Sequence, residues 1–207
     1  MDLKNRLDEF FFIRDSEKVA KDLVGKVILT NIDNVYTGGI ITETEAYPSD
    51  DCASHIFGKS QISKRLQVQF MQGGYIYAYL IMGVYTMTSI VVNKKGIADV
   101  VFIRSIEPVI GIDDMRKRRL LKKYSDIKRI ASGPGKLSIA LGIDTSYNWY
   151  NIFSSNLLIS FYDIGKNLEV LSGERINLGL SNCPDNLLDI TKNRKLRFFQ
   201  KDSKFLS

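Results

Sequence analysis

The hydrophobic pattern is written mainly in short runs that suit strands, with three stretches that suit helices. Lys26 to Asn31 and Val35 to Thr44 flank Ile32-Asp33-Asn34 and predict a hairpin, in which Gly38-Gly39 marks a bulge or a close backbone approach. Tyr75, Tyr77 and Tyr79 alternate with apolar residues, and Thr86 and Thr88 continue that polarity beyond Gly83, predicting a second hairpin over Tyr75 to Val92 with Leu80, Ile81, Met82 and Gly83 at its tip. Ala98 to Ile103 is a continuous apolar strand apart from Asp99. Short strands over 156–161, 168–171, 175–178 and 196–199, with Gly165, Gly173 and Gly179 between them, carry the sheet to the end of the chain. Helical spacing falls over residues 15–24, capped by Asp15 or Ser16 and closed by Gly25, and over 111–124, with Met115, Arg119 or Leu120, and Leu121 turned inward. Ser132-Gly133-Pro134-Gly135-Lys136-Leu137 reads as a glycine turn feeding a third helix through Leu141. Its free backbone N–H groups suit a phosphate, although the P-loop spacing is absent.

The stretch from Ile40 to His55 concentrates the chemistry, with two carboxylates, an aromatic ring and the single histidine within sixteen residues. On a strand, Glu43, Glu45 and Tyr47 share one face at intervals of roughly 6.6 to 7 Å. Two carboxylates so placed can activate a water and protonate a leaving group, while Tyr47 and His55 can hold a flat ring. The spacing alone fits equally a solvated edge strand followed by a loop histidine. Arg104, at the end of the 98–103 strand, is an ion-pair partner or an anchor for a reacting group.

At 207 residues, with 44% hydrophobic and 25% charged residues, the chain can bury a sizeable core. One histidine excludes multi-histidine metal sites, and no metal is expected. Cys52 and Cys183, far apart in sequence, predict neither a disulfide framework nor a zinc site and suit a reducing compartment. The net charge of +6 gathers in two places, between Arg116 and Arg129 and between Lys192 and Lys204. A phosphate-binding surface and a solvated helix face with a basic tail both fit. Phe10-Phe11-Phe12-Ile13 is too short for a secretory core, so a cytoplasmic, unsecreted protein is expected. Gly73 to Asn93 carries no charge and is long enough to span a bilayer, but its alternation is that of paired strands, and no membrane association is expected.

Taken together, Glu43-Thr44-Glu45-Ala46-Tyr47, Ala53-Ser54-His55, Gly74-Tyr75-Ile76-Tyr77-Ala78-Tyr79, Ile103-Arg104-Ser105-Ile106-Glu107-Pro108 and Ser132-Gly133-Pro134-Gly135-Lys136-Leu137 resemble, in order and approximate spacing, the alkyladenine (3-methyladenine) DNA glycosylase family. The resemblance runs from about residue 10 to the end. It implies one α+β domain over residues 1–207 with a curved antiparallel sheet, surrounding helices and a protruding hairpin. It further implies a cofactor-free monomer that acts on double-stranded DNA containing alkylated bases, associated with the nucleoid in a bacterium. By the same resemblance Glu45 activates water, Arg104 helps hold it, Tyr47 and His55 sandwich the flipped base, Tyr79 is the third pocket aromatic, and Met82 fills the gap left in the duplex. An alkylated purine is already cationic and leaves without an acid, which makes Glu43 structural. No lysine motif suggests a Schiff base, so an intact abasic site is the expected product.

The sequence departs from the family pattern at the DNA-facing positions. Met82 stands where an aromatic is usual, Ser89 replaces a pocket asparagine, Leu66 follows Arg65 in place of asparagine, and Lys195-Leu196-Arg197-Phe198 replaces Pro-Trp-Arg-Phe. The alternative these departures raise is a catalytically weak damaged-DNA-binding protein on the same scaffold. A carbohydrate hydrolase using Glu43 and Glu45 fits less well, because Trp149 is the only tryptophan and the surface is basic.

Overall fold

Strand alternation is resolved here into two buried faces of one sheet. The structure is a computed structural model describing residues 3–207, so Met1 and Asp2, part of the segment read for a leader, lie outside the described residues. Its strands are β1 (Asn5–Arg6), β2 (Val27–Ile32), β3 (Val35–Tyr47), β4 (Ile76–Ile81), β5 (Tyr85–Val92), β6 (Asp99–Ile110), β7 (Ile159–Asp163), β8 (Val170–Gly173) and β9 (Arg197–Gln200). The sheet order is β1-β7-β2-β3-β6-β5-β4, with β9 pairing β3 and β8 pairing β9, and every pairing is antiparallel. β3 is therefore central, and Glu43 and Glu45 are wholly buried, which removes the solvated edge-strand alternative.

Along β4, Ile76 and Ala78 enter the main core while Tyr77 and Tyr79 enter a second cluster on the opposite face. β5 divides in the same way, Ile90 and Val92 against Met87 and Val91, and so does β6, Val101 and Ile103 against Val100 and Phe102. The main core is covered by α2 (Ser16–Leu23) and α5 (Pro134–Leu141), whose Val19, Ala20, Leu23, Leu137, Ala140 and Leu141 are fully buried. Burying each such valine or leucine side chain contributes about 1.5–3 kcal/mol. Thr44 Oγ1 donates to the Ala20 carbonyl at 2.7 Å and so ties β3 to α2. Its neighbours Glu43 and Glu45 consequently point to the other face, where all the candidate chemistry lies.

β3 changes partner along its length. Its first half pairs with β2; register shifts fall at Gly38/Gly39, Ile41/Glu43 and Glu43/Thr44, after which Glu43, Thr44 and Glu45 pair with β9. The expected bulge at Gly38-Gly39 is present, and it is also a close approach. A Cβ on Gly39 would stand 2.4 Å from the Glu107 carbonyl oxygen, a contact no side chain tolerates.

Several expectations are corrected. The helix foreseen over 111–124 is α3 (Ile112–Arg118), and Leu120, in a left-handed conformation at φ 52, points into solvent instead of inward. Residues 175–178 form no strand, because Arg175 is drawn into a buried ion pair and Ile176 into a side-chain hydrogen bond. Three helices were not foreseen: α1 (Glu9–Phe12), α4 (Lys128–Ala131) and α6 (Asp185–Asn193). The two cysteines, expected unpaired, form a Cys52–Cys183 disulfide across 131 residues, because the turn after β3 and the segment before α6 meet beside the site. The uncharged run from Gly73 onward is the β4–β5 hairpin, and no helix among the described residues is long and apolar enough to cross a membrane.

Candidate active site

Four strands bring the predicted residues to one face. β3 supplies Glu43, Glu45 and Tyr47, β6 supplies Arg104, and the hairpin supplies Tyr79 and Ser89, while His55 sits in the loop after β3. Tyr47, His55, Tyr79, Met82, Ser89 and Arg104 all line one cavity of about 740 Å³. Glu45 lies immediately behind that wall with no exposed surface, bonded to three of the residues that form it.

The carboxylates have unequal surroundings. Glu43 Oε1 accepts from Arg104 Nε at 3.0 Å, Arg197 Nε at 2.7 Å and Ser207 Oγ at 3.0 Å, and its Oε2 accepts from the Ser207 backbone N–H at 2.6 Å. Glu45 Oε2 accepts from the Tyr47 hydroxyl at 2.9 Å and Arg104 Nη1 at 3.1 Å, while Oε1 accepts only the Ile176 N–H at 2.7 Å. A carboxylate has about four acceptor sites. Glu43 accepts four hydrogen bonds in all and Glu45 three, so in total Glu45 has one acceptor site left.

Burial raises the Glu45 carboxyl above its ordinary value; the Arg104 charge, the Ile176 N–H and the Tyr47 hydroxyl oppose the rise, and Glu43 adds to it. A buried carboxyl paired with a guanidinium and bonded to two further donors, yet pushed toward neutrality by its burial, is the environment of a general base.

Around it stand the rings. Tyr77 and Tyr79 stack at 4.7 Å with their planes 21° apart, and His55 meets Tyr79 edge-on at 4.7 Å. His55 Nδ1 and the Tyr77 hydroxyl share a 2.9 Å hydrogen bond. The imidazole is exposed at the cavity mouth, but the protein atoms around it and the charges of Arg65 and Lys59 lower it to about 4, so at neutral pH it offers an uncharged ring. Behind Tyr47, the Arg175 guanidinium lies 4.8 Å from the ring centroid and pairs with both oxygens of Asp51, at 2.9 and 2.8 Å. Each of these rings is fixed by a polar or aromatic partner, so the pocket is shaped before anything enters it.

The tip of the hairpin stands apart from this order. Met82 is 88% exposed, and with φ 53 it joins Gly83 at φ 69 in a tight turn whose two central residues are both left-handed. Leu80, Ile81, Val84 and Tyr85 beside it are exposed too. Farther back, Gly135 lets the tip approach α5, since a Cβ there would stand 3.0 Å from the Tyr85 ring. An exposed apolar knob held in a strained turn at the rim of a cavity is the shape of a wedge.

Sequence reasoning missed the outer supports. Arg197 was visible only inside Lys195-Leu196-Arg197-Phe198, and Tyr77 only as part of the alternation. Arg175, Ile176 and Ser207 carried no signal, because each acts through a contact that only the folded chain creates.

The chain was compared with known proteins. Residues 10–204 match the family model described as Methylpurine-DNA glycosylase (MPG). Among curated proteins the chain is 34% identical over 208 residues to one from Clostridium novyi (strain NT), 36% identical over 210 residues to one from Clostridium perfringens (strain 13 / Type A), and 32% identical over 204 residues to one from Natranaerobius thermophilus. Each alignment covers 98% of this chain and 98% of the relative, and all three relatives carry the name "Putative 3-methyladenine DNA glycosylase".

Proposed function

The chain belongs to the methylpurine-DNA glycosylase family, and from that premise we propose that it hydrolyses the N-glycosidic bond of alkylated purines flipped out of duplex DNA, with Glu45 as the base. The lesions are 3-methyladenine and, by the same chemistry, 7-methylguanine; ethenoadenine and hypoxanthine, which are uncharged and leave as anions, are the harder substrates. The observation that carries the proposal is Arg104, which holds Glu45 at 3.1 Å while lining the cavity itself.

In this scheme a water held by the remaining acceptor site of Glu45 and by Arg104 attacks C1′ of the sugar. The C1′–N bond breaks, its electron pair leaves with the purine, and the proton of the water passes to Glu45. An N-alkylated purine is cationic, so it takes the electron pair and leaves neutral without an acid. The Tyr47, His55 and Tyr79 rings favour such an electron-poor base by a cation–π contribution of about 0.5–2 kcal/mol. Ser89 meets the base edge, Met82 replaces the base in the stack, and Lys59 and Arg65 at the cavity mouth face the phosphates. No amine takes part, so the reaction stops at an intact abasic site. The protein acts as a monomer, in the compartment that holds the chromosome.

Incubation with duplexes carrying each lesion, followed by alkali cleavage, tests this. Release by the wild type and its loss in Glu45→Gln is the expected result. Tight lesion binding with no release of any base would instead support the damaged-DNA-binding reading that Met82, Ser89 and Leu66 raise.

A further inference from the structure

Gln69 lies in the 3-10 turn over Gln67–Phe70, lines the cavity and has no solvent-exposed surface, yet neither Nε2 nor Oε1 of its amide makes a well-formed hydrogen bond in the protein, although the Tyr77 hydroxyl stands close enough to interact with it. Buried side-chain amides are nearly always satisfied, and one left open in the wall of a cavity stands ready for a ligand. Its neighbours are placed for the same ligand: Tyr77, whose hydroxyl is tied to His55, and Ser89, which faces Tyr77 across the β4–β5 register. We propose that Gln69 hydrogen-bonds the heteroatom edge of the flipped purine and is the specificity-determining residue for uncharged, 6-oxo bases such as hypoxanthine. The inference rests on the hydrolytic reading above and deepens it.

An amide presents an N–H donor and a carbonyl acceptor side by side, and hypoxanthine offers the complementary pair, O6 as acceptor and N1–H as donor. The chemistry gives that pairing a consequence beyond affinity. When the C1′–N9 bond of a neutral purine breaks, its electron pair goes onto the departing ring, which becomes anionic. An N–H donated to O6 stabilises the charge as it develops. A cationic N-methylated adenine becomes neutral on leaving and gains much less from the same donor. Gln69 is therefore expected to separate the two substrate classes instead of serving both.

The test replaces Gln69 with methionine, which is of similar length and has no hydrogen-bonding amide, and measures single-turnover release from duplexes carrying hypoxanthine or 3-methyladenine. Hypoxanthine release should fall about a hundredfold or more, the usual effect of removing one such donor, while 3-methyladenine release changes less than about threefold. Equal loss for both bases in a variant with wild-type circular dichroism, or no loss for either, would overturn the proposal. If Gln69→Met fails to fold, Gln69→Leu carries the same comparison, because it too fills the site without a hydrogen-bonding amide. A wild type that releases neither base would sink the hydrolytic reading itself. In that case equal affinity of wild type and variant for the hypoxanthine duplex would overturn this inference separately.

Discussion

Arg104 Nη1 lies 3.1 Å from Glu45 Oε2, while Nε of the same guanidinium lies 3.0 Å from Glu43 Oε1. One cation therefore binds two buried carboxylates of unlike duty, one with an acceptor site to spare and one without. Replacing Glu45 by glutamine preserves the size of the side chain and removes the base. Base release should drop about 10²–10⁴-fold, the typical contribution of a general base. Lesion-duplex affinity should stay within a few-fold, measured by fluorescence anisotropy.

The pH profile follows from the same contact. The base must be ionised, so log kcat/KM should fall on acidification with a midpoint above the ordinary carboxyl value of 4.5, in the direction burial drives Glu45. Arg104 is the largest influence holding that value down. Arg104→Gln should therefore move the acidic limb to higher pH as well as lower its plateau. The His55 imidazole, at about 4, stays neutral through this window and should not shape the limb. A limb that does not move in Arg104→Gln would separate the two groups functionally.

Glu43 predicts a different phenotype. It is fully buried and accepts from Arg104, Arg197 and Ser207, so Glu43→Gln leaves two guanidiniums short of a counter-charge. Breaking such a buried pair destabilises by about 3 kcal/mol or more, equivalent to a fall in Tm of roughly 6–12 °C in a chain of this length. Calorimetry of the variant beside Glu45→Gln checks whether the first carboxylate belongs to the scaffold and the second to the chemistry.

Much of this was legible in the sequence because strand alternation is a local property. The period-two pattern of β4 and β6 fixes which residues share a face, and Tyr79 and Arg104 follow from it. The Glu43 and Glu45 pairing with β9 was not legible, since it joins β3 to a strand at the far end of the chain. Nor was the contact of Arg175 with Asp51, 124 residues away, or of Cys52 with Cys183, 131 residues away. Short-range spacing holds no trace of such closures. Arg119 and Leu120 misled because their helical spacing continues past Arg118, where the backbone turns left-handed at Leu120 and the helix ends.

The disulfide joins Cys52, next to Ala53-Ser54-His55, to the segment after Ile176 that closes the other side of the cavity. Protein purified without reductant should show no thiol reactive with Ellman's reagent in denaturant. Reduction should lower stability by about 2–4 kcal/mol. It should also weaken lesion binding, because His55 and the Ile176–Asn182 rim are no longer tied together. Two reactive thiols in the unreduced protein would exclude the bond in solution.

Met82 offers a trade between stability and action. A methionine in the left-handed region is strained by about 1–2 kcal/mol, and glycine occupies that conformation without a clash. Met82→Gly should therefore melt higher by about 2–8 °C. Since 88% of the methionine surface points outward, the substitution removes no core packing. It does remove the apolar knob that would enter the base stack, so release from duplex DNA should fall while release from a single-stranded lesion, which needs no gap filled, stays the same. Equal loss on both substrates would mean that the tip shapes the pocket instead of opening the duplex.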